Sequence, residues 1–231
     1  MSKDLQELEK EIGINFKNLE LLQEALTHRS FLNEKKSKEV SHNERLEFLG
    51  DAVLELSVTT FLFDKFSKKP EGELTSLRAS LVNSQILFEV ADKLNLNSFI
   101  KVSKGEAKDS GKGRRFILAN AMEALIGAIY LDQGYKVADT FIRENICSNI
   151  GNILNNKLWQ DPKSVFQEKA QEKEAITPVY KIIEEKGPDH EKHFVMGAYL
   201  GSTLVAKGEG YSKQEAERMA AENALVKKKW D

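Results

Sequence analysis

The sequence predicts an α+β protein of two domains, an all-α domain followed by a small α-β-β-β-α domain. Three observations carry this. Apolar residues recur at three- and four-residue spacing from about residue 5 to 150, and Pro70 is the only proline in that stretch. The segment 151–161, GNILNNKLWQD, is Asn-rich and ends against Pro162, as a linker would. Beyond Pro162 the texture changes to alternating runs punctuated by Gly and Pro, the pattern of short strands. The expected boundaries are 5–134 for the helical domain, extending to about 150, then 151–160 for the linker and 161–230 for the second domain.

Within the first domain, Leu19, Leu22, Ala25 and Leu26 make one helical stripe, and Ala119, Met122, Leu125, Ile126 and Ile129 another. Segments 33–41 (NEKKSKEVS) and 104–115 (KGEAKDSGKGRR) interrupt the periodicity and are expected as surface loops. Lys108, Lys112, Arg114 and Arg115 make the second of these basic and a candidate backbone contact for a polyanion. In the second domain Lys163 to Lys173 suits a helix and Pro178 to Glu185 a strand. KGPDHE (186–191) suits a loop, and His193 to Leu200 and Ser202 to Lys207 suit two strands joined through Gly201. Ser212 followed by Glu215 is a capping-box start, and the helix it opens carries Ala216, Met219, Ala220 and Ala224 on one face.

Composition bounds the function classes. The 231 residues carry 34 Lys+Arg against 36 Asp+Glu, net −2. Through Asn156 the counts are 21 and 23, and from Lys157 onward 13 and 13, so neither half is basic overall. Any nucleic-acid contact must therefore come from local clusters rather than total charge. A single cysteine, Cys147, excludes a disulfide framework and a cysteine-rich zinc site, and suits a buried small hydrophobe. No apolar run approaches the ~20 residues of a membrane span. MSKDLQELEK lacks the apolar core of a signal peptide, so a cytoplasmic setting without membrane contact is expected. His28, His42 and His193 have no spacing that links them to a nucleophile or to zinc.

The segment 42–55, HNERLEFLGDAVLE, concentrates the chemistry. On a helix Glu44, Glu47 and Asp51 fall at i, i+3 and i+7, on one face, while Leu46, Leu49, Val53 and Leu54 point to a core. Stacked like charges repel, and a divalent cation turns that repulsion into a site, since hard cations take oxygen ligands. The alternative is a plain solvated face. A second helix, LANAMEALIGAIYL (118–131), is almost wholly apolar or small, with Glu123 its only formal charge and Asn120 one turn before it. A lone carboxylate there needs a partner or a metal: either a buried salt bridge, for example to Arg45 or Arg78, or an ion shared with the first helix. Crossing the two helices would gather Glu47, Asp51, Asn120 and Glu123.

These two segments resemble the signature motif and the second acidic motif of the ribonuclease III family. The C-terminal pieces FQEKAQ, PVY, GPDH and GEGYSKQEAERMAAENAL resemble the double-stranded RNA-binding domain that follows it in bacterial members. The resemblance covers essentially the whole chain. It implies an all-α ribonuclease III endonuclease domain and an endonuclease that hydrolyses phosphodiesters in double-stranded RNA, leaving 5′-phosphate and 3′-hydroxyl ends. The implied cofactor is Mg²⁺, with Mn²⁺ able to substitute and no other small-molecule cofactor. Implied metal ligands are Glu47, Asp51, Asn120 and Glu123, with Asp51 and Glu123 the catalytic pair and Glu44 and Glu71 further cleft residues. The family's usual Asp at position 120 is Asn here, an oxygen donor without charge. Phe48 matches an aromatic that inserts into a pocket on a second subunit, which implies a homodimer with one site for each strand. In the second domain Gln167, Glu168 and Gln171 on the first helix, His190 in GPDH, and Lys213 with Arg218 on the last helix are the implied RNA contacts, across a duplex read by shape. Many members have Lys-Lys where this chain has Lys213-Gln214. Ribosomal RNA precursors, and some messenger and transfer RNA, are the implied substrates.

Two other function classes compete. A non-cleaving duplex binder is supported only by Asn120, and a metal-dependent cleavage assay separates it. A helical scaffold whose acidic face binds a basic protein predicts no metal dependence and leaves the α-β-β-β-α segment unexplained.

Overall fold

The computed structural model describes residues 3–35, 41–108, 111–157, 159–188 and 192–230. It divides into two units, one through Trp159 and one from Gln160. Along the first unit run α1 (Lys3–Ile12), α2 (Leu19–Ala25), α3 (Arg29–Lys35), α4 (Glu44–Lys65), α5 (Glu71–Leu81) and α6 (Ser84–Lys93). They are followed by α7 (Lys112–Gln133), α8 (Tyr135–Asn145) and α9 (Ile150–Asn155). Short 3₁₀ turns lie at Leu96–Ser98, Glu106–Lys108 and Cys147–Asn149.

The apolar run predicted around 118–131 becomes the centre of this unit. Ala119, Ala121, Met122, Ala124, Leu125, Ile126, Ala128 and Ile129 are all buried. A helix apolar on nearly every side has to be enclosed by others, and α4 packs along it over the largest helix–helix contact of the unit. On α4, Leu46, Val53, Leu54, Val58 and Leu62 supply the buried side. The Leu22, Ala25 and Leu26 stripe is buried as the periodicity predicted. Asn side chains fix helix starts: Asn18 accepts from the Glu20 amide, and Asn83 from the Ile86 amide at 3.0 Å.

Two expectations change. Part of the expected 151–160 linker forms α9, whose Ile153 is buried in the first core, and Trp159 packs against the same core. Asn-rich composition reads as linker, but the i, i+3 spacing of Ile150 and Ile153 supplies an apolar stripe that helix packing uses. The expected loop 104–115 is interrupted by a 3₁₀ turn and ends early, since Gly111 in extended conformation starts α7 at Lys112. Arg114 and Arg115 therefore stand in the first turn of α7. Arg114 Nε donates to Asn97 Oδ1 at 2.8 Å, and the Arg115 guanidinium lies 5.4 Å from the Phe88 ring centroid.

The second unit contains α10 (Pro162–Glu174), β1 (Val179–Lys186), β2 (His193–Leu200), β3 (Thr203–Gly210) and α11 (Lys213–Lys228). The three strands form one antiparallel sheet in the order β1-β2-β3, with a register irregularity between Ile182 and Glu184. Phe166 and Ala170 of α10 share a core with Phe194, Met196 and Ala198 of β2, Val205 of β3, and the alanine face of α11. Ser212 Oγ accepts from the Glu215 amide at 3.2 Å, and the Glu215 carboxylate accepts from the Tyr211 amide at 2.8 Å. This is the reciprocal cap expected from Ser212 and Glu215, reaching one residue further back.

Candidate active site

Two glycines bring the acidic segments together. A Cβ added to Gly50 on α4 would stand 1.8 Å from the Glu123 carbonyl oxygen on α7. One added to Gly127 would stand 2.3 Å from the Leu46 carbonyl oxygen. Only hydrogen at both positions lets the two backbones cross in contact. The crossing places Glu47 and Asp51, on either side of Gly50, beside Asn120 and Glu123.

The electrostatics follow from that proximity. Burial pushes the Glu123 carboxyl up to about 7, and the nearby Asp51 and Glu47 carboxylates push in the same direction. Glu47 is also raised, first by burial, then by Glu44 and Asp51, against a lowering hydrogen bond from the Asn120 side chain. Asn120 thus offers its amide N–H to Glu47 and keeps an oxygen for another partner. The salt-bridge alternative for Glu123 does not hold: Arg78 pairs with Glu55 at 3.1 Å, and among the described residues no basic side chain reaches Glu123. Among those residues no three His, Cys, Asp or Glu side chains are drawn into a closed ligand cage. Like charges facing one another in a half-buried cleft keep apart. Three carboxylates and an amide oxygen, two of the carboxyls holding protons more tightly than usual, fit the needs of a hard divalent cation.

Glu44 opens α4 and is held by Arg29, Nη1 to Oε1 at 3.1 Å, with His42 Nδ1 3.7 Å from its other oxygen. Glu71 opens α5 and lines a different cleft, with Thr59, Leu62, Phe63, Leu74 and Arg78. Thr59 lies eight residues beyond Asp51, about 12 Å along the α4 axis, so this fold does not join Glu71 to the other carboxylates within one chain. Phe48 is 82% exposed, next to Glu47 yet turned away from the core.

On the second unit Gln167, Glu168 and Gln171 are exposed along α10, and Gln171 Nε2 donates to Thr177 Oγ1 at 2.6 Å. Lys213 is exposed in the first turn of α11, its Nζ 5.7 Å from the Phe194 ring centroid. Arg218 stands five residues on, about 140° around the helix from Lys213, and pairs with Glu222 at 3.6 Å. The helix thus separates two residues that the sequence suggested might act together. His190 lies outside the described residues.

Sequence reasoning missed Asn43, one of three buried polar residues among those described. Its backbone N–H donates to the Thr27 carbonyl at 2.9 Å, its side chain donates to the Ala25 carbonyl at 3.3 Å, and its carbonyl accepts from the Glu47 amide at 2.8 Å. Asn43 therefore ties the first turn of α4 to the end of α2. Further along, Ser57 Oγ donates to Asp139 Oδ1 at 2.6 Å and Arg143 Nε to Asp139 Oδ2 at 2.8 Å, locking α4 to α8. The available signals were a polar residue at a helix start and a serine in an apolar stripe.

Comparisons with known proteins converge on one family. Residues 18–150 match the Ribonuclease-III-like family and residues 162–227 the Double-stranded RNA binding motif. Ribonuclease 3 of Bdellovibrio bacteriovorus is 42% identical over 222 residues, covering 96% of this chain and 94% of the relative. Ribonuclease 3 of Carboxydothermus hydrogenoformans is 44% identical, covering 96% and 95%. A crystal structure of the nuclease domain of ribonuclease III from Campylobacter jejuni superposes with a TM-score of 0.57 at 45% identity, covering 64% of this chain and 97% of that one. Another structure of that domain, described for structural flexibility in a region involved in dimer formation, gives 0.56 at 45% identity, covering 62% and 99%. The carboxylate-lined crossing of α4 and α7, followed by a duplex-RNA-binding fold, thus belongs to a member of the ribonuclease III family, a double-stranded RNA endonuclease.

Proposed function

We propose that the chain hydrolyses double-stranded RNA at the α4–α7 crossing with Mg²⁺, or Mn²⁺ in its place, leaving 5′-phosphate and 3′-hydroxyl ends. The observation that carries this is the Gly50–Gly127 contact, which sets Glu47, Asp51, Asn120 and Glu123 around one half-buried cleft. These four residues would hold the cation, with Asp51 and Glu123 the catalytic pair. When bound, the ion lowers the pKa of coordinated water and offsets phosphate charge. The protein's part is to fix the donors on two rigid helices and, through Asn120, to hold the Glu47 carboxylate by a hydrogen bond. Gln167, Glu168, Gln171 and Lys213 present polar and cationic groups for 2′-hydroxyls and phosphates of an A-form duplex. Ribosomal RNA precursors, with some messenger and transfer RNA, suit such an activity, and a cytoplasmic location suits those substrates.

The reading includes a homodimer built on α4. Phe48, Leu56 and Phe63 are 82%, 56% and 70% exposed, and at 100° per residue they fall within an arc of about 80°. A two-fold axis near Leu56 makes this face self-complementary and sets Phe48 against the partner subunit's Phe63 and its adjoining cleft. Glu71 borders this face through the cleft it shares with Thr59 and Phe63, so the dimer reading predicts that it serves the site of the other subunit. The test is mass spectrometry of duplex cleavage products made with Mg²⁺ and with Mn²⁺. Fragments with 5′-phosphate and 3′-hydroxyl ends support the reading, and 2′,3′-cyclic phosphate ends or cleavage in a chelator contradict it.

A further inference from the structure

The cleft carries Glu44, Glu47, Asp51 and Glu123, all acidic, while its substrate is a phosphodiester anion. Fixed positive charge at the rim is therefore needed beside any bound cation. Arg29, the first residue of α3, meets that need. It contacts Glu44 through Nη1 at 3.1 Å, and its side chain is 68% exposed. A guanidinium has five N–H donors and stays charged at any working pH, so one bond to Glu44 leaves donors for a phosphate.

An exposed ion pair is by itself weak, about 0–1 kcal/mol. Arg29 differs from an ordinary surface arginine because its backbone is fixed on both sides. The His28 amide donates to the Lys101 carbonyl at 3.0 Å. Ser30 Oγ bonds His28 Nδ1 at 2.8 Å and accepts from the Ser103 amide at 3.0 Å. On the other side, the Thr27 carbonyl accepts from Asn43, the residue before Glu44. Arg29 thus projects from a braced turn, attached to the start of the helix that carries Glu47 and Asp51.

We propose that Arg29 is a substrate-positioning residue of the nuclease cleft, held by Glu44 before RNA enters and then donating to a backbone phosphate one helical turn from Glu47. The proposal rests on the duplex-nuclease reading above. The experiment is steady-state cleavage of a duplex RNA by the full-length protein in Mg²⁺ at several salt concentrations, for the unaltered chain, Arg29→Ala and Arg29→Lys, with thermal unfolding of each. For Arg29→Ala we expect KM to rise about tenfold, the worth of one charge-assisted bond. We also expect the slope of log KM against log salt to fall by about one, with kcat changed much less. Arg29→Lys should keep the slope. An unchanged KM and salt slope in Arg29→Ala, with or without a lower Tm, overturns the proposal, as does a fall in kcat alone. If the unaltered chain fails to cleave, the nuclease reading itself falls and takes this assignment with it.

Discussion

The backbone of Gly50 lies so close to that of Glu123 that a Cβ added to the glycine would stand 1.8 Å from the glutamate's carbonyl oxygen. The residue that supplies the cleft's most perturbed carboxyl is thereby pressed against the helix that supplies two more. Gly50→Ala should force α4 from α7 and cost about 1–3 kcal/mol of stability, the usual range for overpacking. It should also reduce cleavage more than it reduces duplex binding. Chemical denaturation and cleavage assays on Gly50→Ala and Gly127→Ala check both, and wild-type stability in either variant would contradict the crossing.

Glu123 is half-buried among like charges, and among the described residues no basic side chain pairs with it. Glu123→Gln should lower cleavage by about a hundredfold or more, as loss of a group in a metal site does. At pH 8 without metal the same variant should unfold at a higher temperature, because a half-buried charge has been removed. Asn120→Asp works in the opposite sense, adding a fourth carboxylate. It should retain or improve Mg²⁺-supported cleavage, and a large loss would show that the amide's donor role toward Glu47 outweighs its oxygen.

Asn43→Ala leaves the Ala25 carbonyl without its side-chain donor and should cost about 1–3 kcal/mol, the range for an unsatisfied buried group. The Asn43 backbone carbonyl that accepts from the Glu47 amide survives the substitution, but the turn that holds it loses its side-chain tie to α2, so the Mg²⁺ concentration giving half-maximal cleavage should rise. A loss of stability with an unchanged metal requirement would limit Asn43 to a structural part.

Asp132 reports on a different joint. Burial alone would raise its carboxyl, but the amides of Lys17 and Asn18 at 2.9 and 2.8 Å, with Gln133, outweigh that and hold it below the usual range. A lowered folded-state pKa stabilises the protein above the unfolded value, about 3.9, and that stability disappears as pH falls through the folded value. Asp132→Asn should therefore be less stable at pH 7, with the gap closing below about pH 4 in acid-titrated thermal melts.

Phe48→Glu should convert the proposed dimer to a monomer in sedimentation equilibrium, since it replaces the most exposed aromatic of the proposed apolar face with a charge beside Glu47. A dimer of unchanged affinity would move the interface elsewhere.

The helical unit was legible because apolar spacing maps directly onto burial: Leu22, Ala25 and Leu26 are enclosed, as is nearly all of 117–129, whereas β1 forms as expected yet leaves Val179, Ile182 and Ile183 exposed. The acidic cluster was legible for a similar reason, since Glu47 and Asp51 share a face and Glu123 stands alone in an apolar helix. What the pattern could not give was contact between segments distant in sequence. The Gly50–Gly127 approach, the Asn43–Thr27 bond and the separation of Glu71 depend on how helices cross. The helical start at Lys112 was hidden because a basic, Gly-containing stretch resembles a loop until Asn97 and Phe88 receive its arginines.

The most direct test of the central claim is cleavage of a long RNA duplex by the full-length chain, with and without Mg²⁺, beside the Glu123→Gln variant under conditions where both bind the duplex. Cleavage that requires the metal and is lost in Glu123→Gln, with duplex binding retained, is the predicted result. Metal-independent cleavage, or undiminished cleavage by Glu123→Gln, would show that the α4–α7 crossing is not the active site.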